Sequence, residues 1–392
     1  MKQEGAGMAD IARAGRFAQQ PGGYRAYIPV PIPPDPPIDL DAALVSLLSR
    51  ADLAVGRLDG LSMQLPNPEL LVAMYVRREA VLSSQIEGTQ STLDDVLAFE
   101  LGERIQDLPQ DVEETVNYVA AMNHGLKRLS ELPLSLRLLR EIHSKLLRDG
   151  RGAERQPGEF RSSQNWIGPS NASLAEATFV PPPVPEMRGA LDNFERFLHE
   201  DEASLPVLIH CGVAHAQFET IHPFLDGNGR VGRLLITFLL VHRGVLRQPL
   251  LYLSHFLKRH RAEYYDRLMD IRVNGNWEGW LKFFLRGVAE TAEEATSTAR
   301  SIVEMRERHR ALIEAHGLGM NGLRFIDLLF VRPLVNVKLV SSALDVAFAT
   351  ANKLVGEFES LELLSEITGG QRNRQYRYQP YLGLFAEPAE AG

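Results

Sequence analysis

From Asp39 onward apolar residues recur every three or four positions, at Leu40, Leu44, Leu47, Leu48, Leu53 and Leu58, which predicts an amphipathic helix. Pro66 and Pro68 interrupt it. With Asn67 as N-cap and Pro68 at the first helical position, a second helix is expected from about Pro68 into SSQIEG, where Gly88 stops it. The same period predicts helices over roughly 111–130, 135–148, 185–200, 204–219, 229–243 and 260–272, with almost no strand signal between them. The exception is residues 161–187, where short β-prone pieces flank a Gly/Pro/Ser/Asn-rich turn, the pattern of a β-hairpin or flap. The chain therefore reads as mainly α.

Its ends differ in kind. Residues 1–26 open with an aperiodic Gly, Ala and Gln-rich stretch and are expected to form a mobile leader. Five prolines between Pro31 and Pro37 force residues 27–40 into an extended run along the surface of the main body. Residues 27–110 then form an N-terminal region and 111–290 a helical domain, while 291–320 read as a long polar linker helix. In 321–392, helices at 323–331, 338–344 and 348–360 precede LELLSEITGGQRNRQYRYQP, read as strand, Gly-Gly turn and strand. Arg372, Arg374 and Arg377 beside Tyr376 and Tyr378 make that a basic wing, so this domain has a winged-helix pattern.

Composition narrows the classes. Of 392 residues 45% are hydrophobic and 23% charged, an ordinary globular balance with length for two or three domains. A single cysteine, Cys211, excludes an internal disulfide and a thiolate zinc cluster, which points to a reducing cytoplasm. No apolar run reaches the roughly 20 residues of a membrane span, and the N-terminus lacks the order of a signal peptide. A net charge of −8 excludes a chain-wide nucleic-acid surface and leaves the wing as a local basic patch.

The densest chemistry lies in HPFLDGNGRVGR, residues 222–233, which opens an apolar helix. Gly227 and Gly229 let the backbone approach an anion, and the free N–H groups of the helix start hold it. Arg230 and Arg233, three apart, bring guanidinium forks suited to phosphate. Asp226 would repel a bare phosphate, which makes sense if it holds Mg2+ bridging two phosphate oxygens. His222, mostly neutral at pH 7, can take a proton from an attacking hydroxyl. In SSQIEG, Glu87 falls at a helix C-terminus, where it costs up to about 1 kcal/mol unless a cation faces it.

HPFLDGNGRVGR resembles the HPFx(D/E)GNGRxxR motif of the Fic family at every specified position. GEFRSSQNWIG with ATFVPPP is similar to that family's flap, and the resemblance extends over roughly residues 27–290. It implies a helical Fic domain that transfers AMP from ATP to a protein hydroxyl with Mg2+, releasing pyrophosphate. His222 would be the general base and Asp226 the metal ligand. Gly227, Asn228, Gly229, Arg230, Val231, Gly232 and Arg233 would form the ATP and phosphate site, with Arg233 on the terminal phosphate. Tyr264 and Tyr265 resemble the tyrosine pair lining the adenine pocket.

SSQIEG fits the inhibitory (S/T)xxxE(G/N) motif of the subclass whose inhibitory helix precedes the Fic core, which gives Ser83, Glu87 and Gly88 a role. Glu87 would pair with Arg233 and make ATP bind unproductively. Expected partners are ATP and a protein segment paired with the flap edge. Self-modification, a homodimer and DNA on the wing are further partners, and no membrane is expected. Removal of AMP, transfer of UMP, phosphocholine or phosphate, and a DNA-binding regulator with a nucleotide-sensing core stay open as rivals.

Overall fold

The computed structural model describes residues 13–63, 69–102, 108–148, 152, 154–169, 173–200, 205–370 and 372–385. In chain order the helices of the main body are α1 (Ala42–Met63), α2 (Glu69–Ile86), α3 (Leu93–Glu100), α4 (Val112–Leu129), α5 (Leu136–Leu146), α6 (Val184–Leu198), α7 (Val207–Ile221), α8 (Asn228–His242), α9 (Ser254–Arg259), α10 (Arg261–Asn274) and α11 (Trp277–Ala315). The cap expected at Asn67 and Pro68 lies outside the described residues. Helices α3 and α9 are too short to show a helical period. Only the capping box of α3, in which Thr92 and Asp95 bond each other's backbone N–H, marks its start.

The site rests on α7 and α8, which pack together and are joined by the loop 222–227. From Leu208 to Ile221 every residue of α7 is buried, so this helix is core on all sides. Helices α4, α5 and α2 back α8, α11 runs along α1, and one apolar core continues through the assembly.

Two expectations are corrected here. The leader is not free along its length: Gly15–Gln19 (β1) and Arg25–Pro29 (β2) pair antiparallel, with Phe17 opposite Tyr27. Arg13 binds Glu278 at 2.7 Å and the carbonyls of Pro36 and Pro37 at 2.6 and 2.8 Å, which ties hairpin and proline run to α11. Residues 1–12 lie outside the described residues. The linker helix, in turn, is the distal part of the single 39-residue α11. It reads as polar because its inward stripe, Ala292, Ala295, Ala299 and Ile302, is mostly alanine, yet those residues are buried.

The flap is held by one antiparallel bridge between Ile167 and Phe179 rather than by regular strands. Its tip, 170–172, lies outside the described residues. Beyond α11 come α12 (Gly319–Val331), β3 (Leu334–Asn336), α13 (Val337–Leu344), α14 (Phe348–Ser360), β4 (Ser365–Glu366), β5 (Gln375–Arg377) and α15 (Gln379–Leu382). The sheet order is β3-β5-β4, antiparallel throughout. Strand β3 was not expected, being three residues long and recognisable only by its pairing. Among the described residues no helix is long and apolar enough to cross a membrane.

Candidate active site

Helix α7 ends at His222, whose φ of 49° and ψ of 59° are left-handed. That costs a non-glycine residue about 1 kcal/mol or more, so the surroundings must hold it. Its N–H donates to the Phe218 carbonyl at 2.9 Å. Its carbonyl accepts from Nε of Arg161 at 3.0 Å and Nδ2 of Asn165 at 3.2 Å. The turn lifts the imidazole off the helix end into a cleft.

The loop is closed around Phe224. Asn228 Nδ2 donates to its carbonyl and Asn228 Oδ1 accepts its N–H, both at 2.8 Å, and Asn165 adds a bond to the same carbonyl. The Asn228 side chain is thus spent on the loop, leaving its backbone N–H for an anion. The Phe224 ring stacks on His143 at 3.8 Å, and His143 receives the Gly158 N–H on Nδ1 while Nε2 faces the Asp226 carbonyl at 3.0 Å. Gly227, with φ of 73°, then turns the chain into α8.

Both arginines of the motif are nearly sealed, at 2% side-chain exposure. Nη1 of Arg230 meets Glu114 at 3.1 Å and its Nη2 lies 3.8 Å from Asp226. Nε of Arg233 donates to Ser83 Oγ at 2.8 Å, and Nη2 donates to the Ser83 carbonyl at 2.9 Å and to Glu87 Oε1 at 2.7 Å. Glu87 follows the last residue of α2, and Gly88, with φ of 97°, turns the chain away. The cation that a helix-end carboxylate demands is therefore Arg233. Glu87 Oε1 also stands 2.2 Å from where Gly229 would carry a Cβ, so this carboxylate sits over the first turn of α8.

The charges respond. Burial first, then the charges of Arg272 and Arg161, push the His222 imidazole down to about 3, so the ring is neutral at pH 7. Burial favours the neutral form of Glu87, but the charge and hydrogen bond of Arg233 outweigh it and hold the carboxyl below its ordinary value. Asp226 is 38% exposed, with Oδ1 accepting the Gly227 N–H at 2.6 Å.

One cleft of about 520 Å³ gathers Glu87, His222, Asp226, Gly227, Asn228, Gly229, Arg230, Arg233, Tyr264 and Tyr265, with Trp166 and Phe179 of the flap on its wall. Tyr264 is 1% exposed with its hydroxyl tied to His215 at 2.9 Å, so Tyr265, 37% exposed, is the ring that opens outward. Two assignments are corrected: Val231 is fully buried in the core, and Gly232 faces Phe218 and Glu219 instead of the cleft. Ser83 acts from behind Arg233. The motif reading missed Arg161, Asn165, Arg272, Glu114, His143 and Glu219, which clamp or charge the loop. GEFRSSQN carried two of them in plain view, but nothing local marks their partners about 60 residues away.

The comparisons follow this geometry. Residues 45–127 match the Fic/DOC family N-terminal model and residues 133–240 the Fic/DOC family model. The protein adenylyltransferase Fic of Aedes aegypti is 33% identical over 162 residues, 41% of this chain and 28% of that protein. That of Drosophila grimshawi is 28% identical over 184 residues, 45% of this chain and 34% of that protein. The matched stretch thus spans about a third of these relatives' own length. A crystal structure of a Fic family protein from Desulfovibrio desulfuricans G20 superposes with a TM-score of 0.58 at 21% identity, covering 87% of this chain and 97% of that one, and so shares the fold. Helix α2 with its terminal glutamate falls in the first matched stretch and the loop with α8 in the second, so the chain carries a Fic/DOC family N-terminal region followed by a Fic/DOC family region.

Proposed function

We propose that this chain is a magnesium-dependent protein adenylyltransferase held off by Glu87. The observation that carries the reading is the convergence, in one cleft, of a neutral histidine, an accessible carboxylate, a glycine-lined helix start and an arginine already bound to a carboxylate. The name of the insect relatives, protein adenylyltransferase Fic, points the same way.

In this reading the backbone N–H groups of Asn228 and Gly229 and the guanidinium of Arg230 hold the phosphates, and Tyr265 covers the base. Nδ1 of His222 is buried, which leaves Nε2 to face the cleft and take the proton of a target hydroxyl. The hydroxyl oxygen bonds to the α-phosphorus as the bond to the bridging oxygen of pyrophosphate breaks. Asp226 fits a magnesium ion: Oδ1 is engaged with the loop, while Oδ2 lies 3.0 Å from a Cβ that Gly152 lacks. Among the described residues no cluster of three or more ligating side chains surrounds it, which suits an ion completed by substrate phosphates and water. Such an ion would neutralise phosphate charge and stabilise the departing pyrophosphate.

Glu87 opposes this by occupying both Arg233 and the anion position. A target strand would pair with the flap edge at Ile167–Gly168 and present Ser, Thr or Tyr to His222. Beyond α11, the order helix, strand, helix, helix, strand, strand supports a winged-helix assignment. Its Arg377 is ion-paired with Asp94 of α3, which favours a protein-docking role for the wing over DNA.

Label incorporation from ATP into the protein itself tests the reading. Glu87→Gly is expected to raise incorporation from α-labelled ATP strongly over wild type, and His222→Ala to abolish it. Equal incorporation by wild type and Glu87→Gly would sink the inhibitory role, and label arriving from γ-labelled ATP would mean phosphate transfer instead.

A further inference from the structure

One buried carboxylate beside the loop has no part in the scheme above. Glu219 lies on the last turn of α7, three residues before His222, with its side chain 8% exposed. Its Oε1 has no hydrogen-bond partner and stands against α8, 2.4 Å from where Gly232 would carry a Cβ. Its Oε2 is 4.0 Å from Nδ1 of His222, a nitrogen that is itself buried. Nδ1 therefore looks toward two oxygens of one residue, the backbone carbonyl of Glu219, which favours the protonated ring, and the side-chain carboxylate.

We propose that Glu219 is a positioning residue for His222: facing Nδ1, it keeps the ring hydrogen there, turns the Nε2 lone pair to the cleft and balances the positive charge the ring gains. The inference rests on the transfer reading given above. In that step the hydroxyl proton goes to Nε2, the hydrogen on Nδ1 stays in place, and the ring becomes a cation next to a carboxylate. The geometry also accounts for glycine at position 232, since any side chain there would displace Oε1.

The charge balance works only when Glu219 is ionised, because a protonated carboxyl carries no charge to offset the ring cation. Arg233 of α8, Arg272 and Tyr264 of α10, Glu87 beyond α2 and His222 of the adjoining loop all face it. Burial raises its carboxyl to about 7 against the pull of Arg233 and Arg272. Transfer should therefore rise with pH through the neutral range.

Two measurements on the full chain decide the matter. Nitrogen-15 spectra of histidine-labelled protein, with His222 identified by its loss in His222→Gln, read the tautomer without turnover. The expected form has hydrogen on Nδ1 and a bare Nε2; hydrogen on Nε2 overturns the proposal. In a Glu87→Gly background, Glu219→Gln should lower kcat for label transfer about tenfold or more while leaving the KM for ATP near its starting value. The rise through neutral pH should vanish with it and survive in Glu219→Asp. An unchanged kcat and pH profile in Glu219→Gln overturns the proposal, and the Glu219 carbonyl alone would then orient the ring. If Glu219→Gln fails to fold, the wild-type tautomer and the Glu219→Asp profile decide by the same outcomes. If Glu87→Gly transfers no label, the transfer reading has failed, and the His222 tautomer compared between wild type and Glu219→Gln still answers for the Glu219 side chain: an unchanged tautomer leaves the ring to the backbone carbonyl.

Discussion

Replacing Glu87 by glutamine removes a charge while keeping the side chain's length, and the structure sets the size of the effect. Two unit charges 2.7 Å apart attract by about 6 kcal/mol at an effective dielectric of 20. Desolvation offsets part of that, Glu87 is 34% exposed, and Arg233 keeps both bonds to Ser83. The loss on Glu87→Gln therefore belongs at the low end for broken buried pairs, about 3 kcal/mol, or a melting point lowered by several degrees. ATP with magnesium should reverse it, because a phosphate supplies the missing anion. At 100 times its Kd a ligand returns about 2.7 kcal/mol. In the wild type the phosphate must first displace Glu87, so the same nucleotide returns less. Thermal melts followed by circular dichroism, with and without nucleotide, measure both differences. A double-mutant cycle with Arg233→Gln isolates the pair. If Glu87→Gln melts with the wild type and gains no more from ATP, the ion pair stores no free energy and the off-state argument fails.

Two further outcomes follow. Gly229→Ala places a methyl 2.2 Å from Glu87 Oε1, so it should cost about 1–3 kcal/mol and lose the ATP-dependent gain, both visible in the same melts. His143, His210 and His215 are each pushed down to about 4 by burial. Depressed histidines contribute stability that is present above their unfolded pKa of about 6.5 and is lost as pH falls through 4. The unfolding free energy from urea titrations should therefore drop between pH 7 and pH 5, by roughly 1–2 kcal/mol per ring, and equal values would contradict neutral burial.

Most helices of the main body could be read from the chain because their signal is local. The period that predicts 111–130 appears as Val112–Leu129, and that for 229–243 as Asn228–His242. What escaped depends on distant partners. The hairpin β1–β2 had its turn in view at Pro21, Gly22 and Gly23, yet it is fixed by Tyr27 packing against Phe179, 152 positions along by their residue numbers, with ring centroids 6.0 Å apart. The site followed the same rule. The motif named His222, Asp226 and both arginines, and the helix-end charge of Glu87 called for a cation. The residues that hold His222 in a left-handed turn, Arg161 and Asn165, have no local signature because their work is done on backbone carbonyls far along the chain.

The two arginines of the loop show why one of them can switch. Arg230 and Arg233 are equally buried, and each meets a carboxylate at close range. Glu114, the partner of Arg230, is 5% exposed and lies within α4, so removing it would strand the Arg230 charge in the core. Glu87 is 34% exposed, just past a helix end, and is followed by a glycine with open space around it. On the proposed reading it swings into water and is solvated there, while a phosphate takes its place at Arg233. In that reading the free-energy difference between the two states is a contest between two anions for one buried cation, decided by nucleotide concentration and by whatever holds the end of α2.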